Sequence, residues 1–282
     1  MTGRELLLFG REALKCAGLP DWEGDAALLF RAAGQMDLSG YLLQLPEAIS
    51  PETEARFREW IGRRAKREPV QYITGEAWFY GRSFRVTPEV LIPRNDTEIL
   101  AEEALSALKP GMKLLDLCCG SGCILITLLL EGPEGLSGTG SDLSEKALAV
   151  AEENASRLGA RASWVQADLF CGIGGPFDCI VTNPPYISGA EMQALDREVR
   201  DFEPETALYG GTDGLSFYRR ITREAPAHLA EGGMLLAEIG AEQGEAVREL
   251  FAENGFSGIR VIRDLAGRDR VVTGIRPQDG RI

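Results

Sequence analysis

Residues 183 to 186 read Asn-Pro-Pro-Tyr and directly follow the apolar run Phe177 to Thr182. The run reads as a buried strand. Two successive prolines end it, because proline cannot donate to a strand ladder. The residue before a proline is also pushed toward extended backbone. Asn183 is therefore held stiffly at a strand end, which suits either a structural turn or a rigid polar clamp. A second constellation lies upstream. Asp116, Gly120 and Gly122 sit in "DLCCGSG" after another apolar run, and Asp142 follows 20 residues after Gly122. Glycines there permit a tight turn and close approach of backbone to a ligand. A carboxylate at the next strand end is placed to bind ribose hydroxyls. A nucleoside ligand is expected, and a dinucleotide is disfavoured. The fingerprint G-x-G-x-x-G fails in both registers, at Leu125 and at Cys118. Asp168, in "ADLF", is a third strand-end acid that reads as a site residue or as a turn cap.

The elements that must position these residues alternate. "KLLDLCC", "GTGSD", "ASWVQAD", "FDCIVTN", "GMLLAEIG", "IRVIRD" and "RVVTGIR" read as strands, with helical stretches between most of them. Such alternation implies a mostly parallel α/β sheet whose strand ends gather at one crevice. The last two strands have only "LAGRD" between them, so one runs antiparallel. Among the helices, "LSFYRRITREAPAHLAEGG" reads as helical throughout. Asn95 with Glu98 has capping-box spacing ahead of another helix. "AWFYGRSFRV" reads as a hairpin about Gly81-Arg82-Ser83. Residues 1–70 read as helices, with Thr2 and Glu5 as a capping box, Gly34 as a helix end, a short helix from Tyr41 to Leu45, and Ser50 ahead of Pro51 as an N-cap.

The net charge of the 282 residues is −13, and nearly all of it falls after residue 75. An acidic body argues against gripping a long phosphate backbone. The basic run "RFREWIGRRAKRE" reads as a solvated helix face. No apolar run approaches the ~18 residues a membrane span needs, and the charged start resembles no signal peptide. A cytoplasmic protein without a membrane partner or stable nucleic-acid partner is expected. Cys118, Cys119 and Cys123 lack the paired spacing of a zinc site and the third cysteine of an iron–sulfur run, so no metal is expected.

The spacing Asp116, Gly120, Gly122 resembles the first motif of S-adenosylmethionine-dependent methyltransferases. Asn183 to Tyr186 resembles the motif of those that modify a planar nitrogen. The physics is coherent: the Asn183 side-chain oxygen and the Pro184 carbonyl can accept both N–H bonds of an NH₂ group. Proline keeps the two acceptors in place, which orients the nitrogen toward the sulfonium methyl. Tyr186 can pack its ring on the planar group.

The whole chain resembles the release factor glutamine methyltransferases. "EPVQYITGEAWFYG", "VLIPRNDTEIL", "LLDLCCGSGCI", "FDCIVTNPPYIS", "FEPETALYGGTDGLSFYR" and "RDLAGRDRVV" carry the resemblance. It implies N5-methylation of the glutamine amide in the Gly-Gly-Gln loop of peptide chain release factors. It implies an α/β fold, a doubly wound, seven-stranded, Rossmann-like methyltransferase sheet with a small N-terminal helical domain joined by a β-hairpin. The expected divisions are 1–75 as a substrate-docking domain, 76–93 as hairpin linker and 94–282 as the catalytic domain. Carried over, the cofactor turn falls on Cys118, Cys119, Gly120, Ser121 and Gly122, and the ribose-binding acid on Asp142. Leu169 stands where some relatives have an aromatic beside the adenine. Asn183 touches cofactor and substrate, and Pro184, Pro185 and Tyr186 complete the grip on the glutamine. Two departures stand out. Cys118 replaces the first glycine of the turn, so the backbone there is expected to be ordinary. Asn95 replaces a common proline and is expected to act as a helix cap. Phe202 reads as a pocket wall or as core. The alternatives are an adenine-N6 methyltransferase acting on DNA or RNA, a non-catalytic nucleoside-binding module, and a dinucleotide oxidoreductase.

Overall fold

The computed structural model describes residues 1–278. Its helices and strands run α1 (Gly3–Cys16), α2 (Trp22–Ala33), α3 (Leu38–Gln44), α4 (Pro51–Arg64), α5 (Val70–Thr74), β1 (Glu76–Phe79), β2 (Arg82–Arg85), α6 (Glu98–Ala107), β3 (Lys113–Leu117), α7 (Cys123–Glu131), β4 (Ser137–Asp142), α8 (Glu145–Leu158), β5 (Ala162–Gln166), β6 (Phe177–Thr182), α9 (Gly189–Met192), α10 (Arg197–Arg200), α11 (Ser216–His228), β7 (Leu229–Glu238), α12 (Gly244–Glu253), β8 (Ser257–Arg263) and β9 (Asp269–Ile275). They group into two compact units. One holds Met1–Glu76 and Asp196–Phe202; the other holds Ala77–Leu195 and the chain from Glu203 onward.

The first unit is helical. Thr2 and Glu5 form the expected capping box, with Thr2 N–H donating to Glu5 Oε2 at 2.8 Å and Glu5 N–H to Thr2 Oγ1 at 3.3 Å. Ser50 caps α4 with Pro51 in its first turn, where the missing N–H has no helical partner to lose. Leu6, Leu14, Phe30, Phe57 and Ile61 form the core. Gly10 lets α1 approach α4: a Cβ there would lie 2.5 Å from the Phe57 ring. Arg64 is 4% exposed and bridges Asp25 at 2.7 Å and Glu198 at 2.9 Å. Two carboxylates offset the removal of one guanidinium from water. The run read as a solvated face thus sends one arginine inward.

The second unit opens with the hairpin. Its turn is Tyr80-Gly81, not Gly81 to Ser83; both residues have positive φ, +48° and +73°. That is the turn whose twist matches the flanking strands. The Asn95 expectation also fails. Asn95–Thr97 is a 3-10 turn, and α6 begins at Glu98 with no side-chain cap. Glu98 instead accepts the Tyr80 N–H at 2.7 Å. The partner across the fold outcompetes the local cap.

Seven strands follow in the order β5-β4-β3-β6-β7-β9-β8. All neighbours are parallel except β9, which is antiparallel to β7 and β8. The period of two splits each central strand between two cores. Leu115, Leu117, Ile180, Leu235 and Ala237 join one; Leu114, Cys179, Val181 and Leu236 join the other. Helices cover both faces, the doubly wound arrangement of a parallel sheet. One boundary differs from the expected continuous helix. The helix that begins at Ser216 ends at His228, and Leu229 already pairs with Phe177 as the start of β7. The chain passes from β3 outward to β5 and then returns to β6 on the other side of β3. This reversal opens a crevice above the carboxyl ends of β3 and β6.

Candidate active site

The register aligns the strand ends. Leu117 pairs with Ser141 on one side and Thr182 on the other, and Asp142 pairs with Gln166. A cavity of about 330 Å³ lies above them, within the ordinary range for small-molecule sites. Cys118, Cys119, Gly120 and Ser121 line it from β3, Asp142 and Leu143 from β4, Asp168 and Leu169 from β5, and Asn183 and Pro185 from β6.

The turn after β3 is locked by backbone bonds. Cys119 N–H donates to Ser141 O at 3.0 Å, and Gly122 N–H to Cys119 O at 2.8 Å. Cys118 is not in an ordinary conformation: its φ is +57°. The expectation of an unstrained turn is corrected. A Cβ in the left-handed region costs about 1–2 kcal/mol, and the surrounding bonds hold it there. Leu169, at φ +51°, is a second non-glycine residue of this kind on the cavity wall. Gly120 has φ +51°, and a Cβ added there would meet nothing within 4 Å. The backbone is therefore bare toward the cavity. Gly122 does not line it. It caps α7 at φ +76°, and a Cβ there would lie 2.9 Å from Trp164 and 3.0 Å from Ala151.

Asp142 accepts the N–H of Gly120 at 3.0 Å and of Ser144 at 2.9 Å. Burial raises its pKa, opposed by these N–H groups. Beneath the turn, Asp116 is fully buried and accepts Leu125 N–H at 3.2 Å with one oxygen; the other is unpaired. Burial pushes its pKa up to about 8. Asp168 pairs with Arg220 at 2.9 Å.

Asn183 Nδ2 donates to Thr97 Oγ1 at 3.3 Å. Pro184 is buried and Tyr186 packs against the core; neither side chain lines the cavity. Burial pushes the Tyr186 hydroxyl pKa far up. The backbone of the motif is anchored. Gln243 Nε2 donates to Tyr186 O at 3.0 Å, Ile187 N–H to Leu208 O at 2.9 Å, and Gly210 N–H to Ile187 O at 2.9 Å.

Several residues escaped sequence reasoning. Glu89 to Thr97 forms one wall, with Pro93 and Arg94 in it, and Pro204, Thr206, Ala207 and Phe217 another. Glu203 ties the walls together: its buried carboxylate accepts Ile92 N–H at 3.2 Å and pairs with Arg94. Asn154, fully buried in α8, donates to Ser121 O and Arg85 O, both at 3.0 Å. It fixes the turn after β3 to the hairpin. An asparagine inside a helix gave no signal of this. Phe202 falls in the helical unit, half-buried, and is not a wall of the cavity.

The chain is similar to known proteins over most of its length. Residues 5–75 match the PrmC N-terminal domain, and residues 95–200 the methyltransferase small domain. A release factor glutamine methyltransferase from Cereibacter sphaeroides is 47% identical over 266 residues, covering 94% of this chain and 95% of its own. One from Geobacter sulfurreducens is 42% identical over 274 residues, covering 97% and 96%. The crystal structure of a methyltransferase from Pyrococcus furiosus matches with a TM-score of 0.54 at 17% identity, over 71% of this chain and 91% of that one. That likeness concerns the fold alone.

Proposed function

The chain belongs to the release factor glutamine methyltransferase family, and from that premise we propose how its site works. The reaction is transfer of the methyl group of S-adenosylmethionine to the side-chain nitrogen of the glutamine in the Gly-Gly-Gln loop of a peptide chain release factor; the methyl–sulfur bond breaks to leave a neutral thioether, and one amide proton is lost to water. The observation that carries this reading is that Asn183 and the Cys118–Ser121 turn line one cavity.

The cavity fits the cofactor. Gly120 leaves backbone bare to it, and Asp142, which holds the Gly120 N–H, lines the cavity with lone pairs that would accept from ribose hydroxyls. Leu143, Ala167 and Leu169 supply an apolar wall for a base, and Phe217 also lines the cavity. Bound there, S-adenosylmethionine supplies a methyl group on a positively charged sulfur.

An amide nitrogen is a weak nucleophile because its lone pair is delocalised. The work of the protein is therefore to hold it. The Asn183 oxygen and the Pro184 carbonyl accept the two N–H bonds of the substrate amide, and the prolines keep these acceptors rigid. Tyr186, with its ring on the core and its carbonyl held by Gln243, anchors the loop that carries these acceptors. Holding the nitrogen in line with the methyl group is a positioning effect. Acceptors aimed at its N–H bonds also stabilise the charge that develops there. We assign residues 1–75 to docking the release factor, 76–93 to the joining hairpin and 94–282 to catalysis. We place the reaction in the cytoplasm, where release factors act.

The test is methyl transfer from labelled S-adenosylmethionine to a purified release factor, to its Gln→Ala loop variant and to adenine-containing DNA. Label on the release factor, absent from the loop variant and with Asn183→Ala enzyme, is expected. Label on DNA instead would move the protein to the nucleic-acid branch.

A further inference from the structure

Glu238 ends β7 and is fully buried, yet it does not line the cavity. It lies behind Asn183 and Thr97, which do. The main chain of Glu238 is pinned, because Tyr218 Oη donates to its carbonyl at 2.7 Å. Its carboxyl Oε2 has no hydrogen-bond partner among the described residues. A buried acid with an unpaired oxygen is costly, and nothing in the methyl-transfer step described above uses it.

The hydrogen-bond directions supply a use. Asn183 Nδ2 donates to Thr97 Oγ1 at 3.3 Å. Thr97 Oγ1 then accepts, so its own hydrogen must be donated elsewhere. Thr182 pairs with Ala237, so Glu238 follows at the end of β7 beside Asn183 at the end of β6, and its carboxyl is the acidic group next to both Thr97 and Asn183. We propose that Glu238 is a positioning residue: through the Thr97 hydroxyl, it fixes the Asn183 amide with its nitrogen inward and its oxygen toward the cavity. The inference deepens the proposed function and rests on it for the identity of the acceptor group.

A carboxylate can only accept. It draws the Thr97 hydrogen toward itself and leaves a Thr97 lone pair for Asn183 Nδ2. The Asn183 oxygen is then the end presented to a substrate NH₂. A protonated Glu238 can donate to Thr97 instead. Thr97 is then free to donate to the Asn183 oxygen, which turns the amide over. Two NH₂ groups would face each other across the site. The protonation state of one buried acid thus sets the sense of a three-member chain.

The environment makes that state responsive. Burial raises the Glu238 pKa to about 7, opposed by the neighbouring Thr97 hydroxyl and Asn183 amide. Asp96 raises it and Arg270 lowers it. Tyr186, Tyr218 and Cys123 also face it from their own elements, with pKa values that lie above the working range.

The experiment follows the Asn183 side-chain amide by ¹⁵N NMR in cofactor-free protein, together with the pH dependence of methyl transfer to a release factor. In wild type the Asn183 signal is expected to titrate with one inflection, and kcat/KM to fall at least tenfold below it. Glu238→Gln is expected to remove the inflection from both readouts and lower kcat with cofactor affinity unchanged. Glu238→Asp, which keeps the charge, restores the inflection. Thr97→Val should copy Glu238→Gln, and Thr97→Ser should behave as wild type, so a misfolded Glu238 variant leaves the idea open to refutation. An Asn183 signal indifferent to pH and to Glu238→Gln overturns the proposal. Wild type that shows the titration but does not methylate a release factor refutes the proposed substrate and not the role of Glu238.

Discussion

Asp142 Oδ2 accepts the backbone N–H of Gly120 at 3.0 Å, which joins the end of β4 to the turn after β3. One carboxylate therefore shapes that turn and also lines the cavity proposed for the cofactor. Hydrogen bonds to charged groups are worth about 1.5–3 kcal/mol. Asp142→Ala is expected to weaken S-adenosylmethionine binding by roughly tenfold to a hundredfold, read by isothermal titration calorimetry. Asp142→Asn keeps an acceptor for Gly120 and should lose less. Equal affinity in all three proteins would remove Asp142 from the cofactor site.

Cys118 offers a sharper comparison. At φ +57° its Cβ is a liability. Cys118→Gly and Cys118→Ala both delete the thiol, so they differ only in that Cβ. The glycine variant is expected to be the more stable by about 1 kcal/mol, in urea unfolding of the cofactor-free protein. This reverses the usual order of alanine over glycine. An alanine variant at least as stable would mean that the turn relaxes out of the left-handed region.

Gly210 packs against the back of the Asn183–Tyr186 loop. A Cβ there would lie 2.7 Å from Pro185 O and 2.7 Å from Tyr186 Cα. Both contacts are backbone and cannot rotate away. Gly210→Ala is expected to shift the loop and lower kcat by at least about tenfold, since misplacement on the ångström scale is enough. Cofactor affinity should stay near wild type, because Gly210 is not on the cavity wall. Full activity would show that the loop yields without penalty.

Much of the frame was legible in the sequence. Strand ends carrying Asp116, Asp142, Asp168 and Asn183 could be read from apolar runs that stop at polar or glycine residues; Asp142, Asp168 and Asn183 line one cavity, while Asp116 is buried beneath the turn. What escaped depends on contacts distant in sequence. Asn154 reads as an ordinary helix residue until Ser121 and Arg85 are seen beside it. Glu98 has the spacing of a cap, but the Tyr80 N–H takes its carboxylate. Gln243 lies 57 residues from the carbonyl it holds at Tyr186. The Cys118 backbone was misread for a related reason. Local preference disfavours positive φ there, and the bonds made by Cys119 and Gly122 override it.

Asp116 makes stability depend on pH in an unusual direction. Burial raises its pKa from 3.8 to about 8, and Asp142 adds to the rise. Between those values the folded protein keeps a proton that the unfolded chain has lost. Stability then falls as pH rises, by up to about 1.4 kcal/mol per pH unit. The contribution is complete below about pH 4 and lost as pH passes through 8. Glu238, raised to about 7, acts in the same sense over a lower window. Cofactor-free protein is therefore expected to melt at progressively lower temperature from about pH 5 to about pH 8. Asp116→Asn carries no proton to lose, so its curve should flatten between about pH 7 and 8 while the Glu238 slope persists below. Parallel curves for wild type and Asp116→Asn across that upper interval would show that Asp116 is ionised in the folded state, with a partner for its free oxygen.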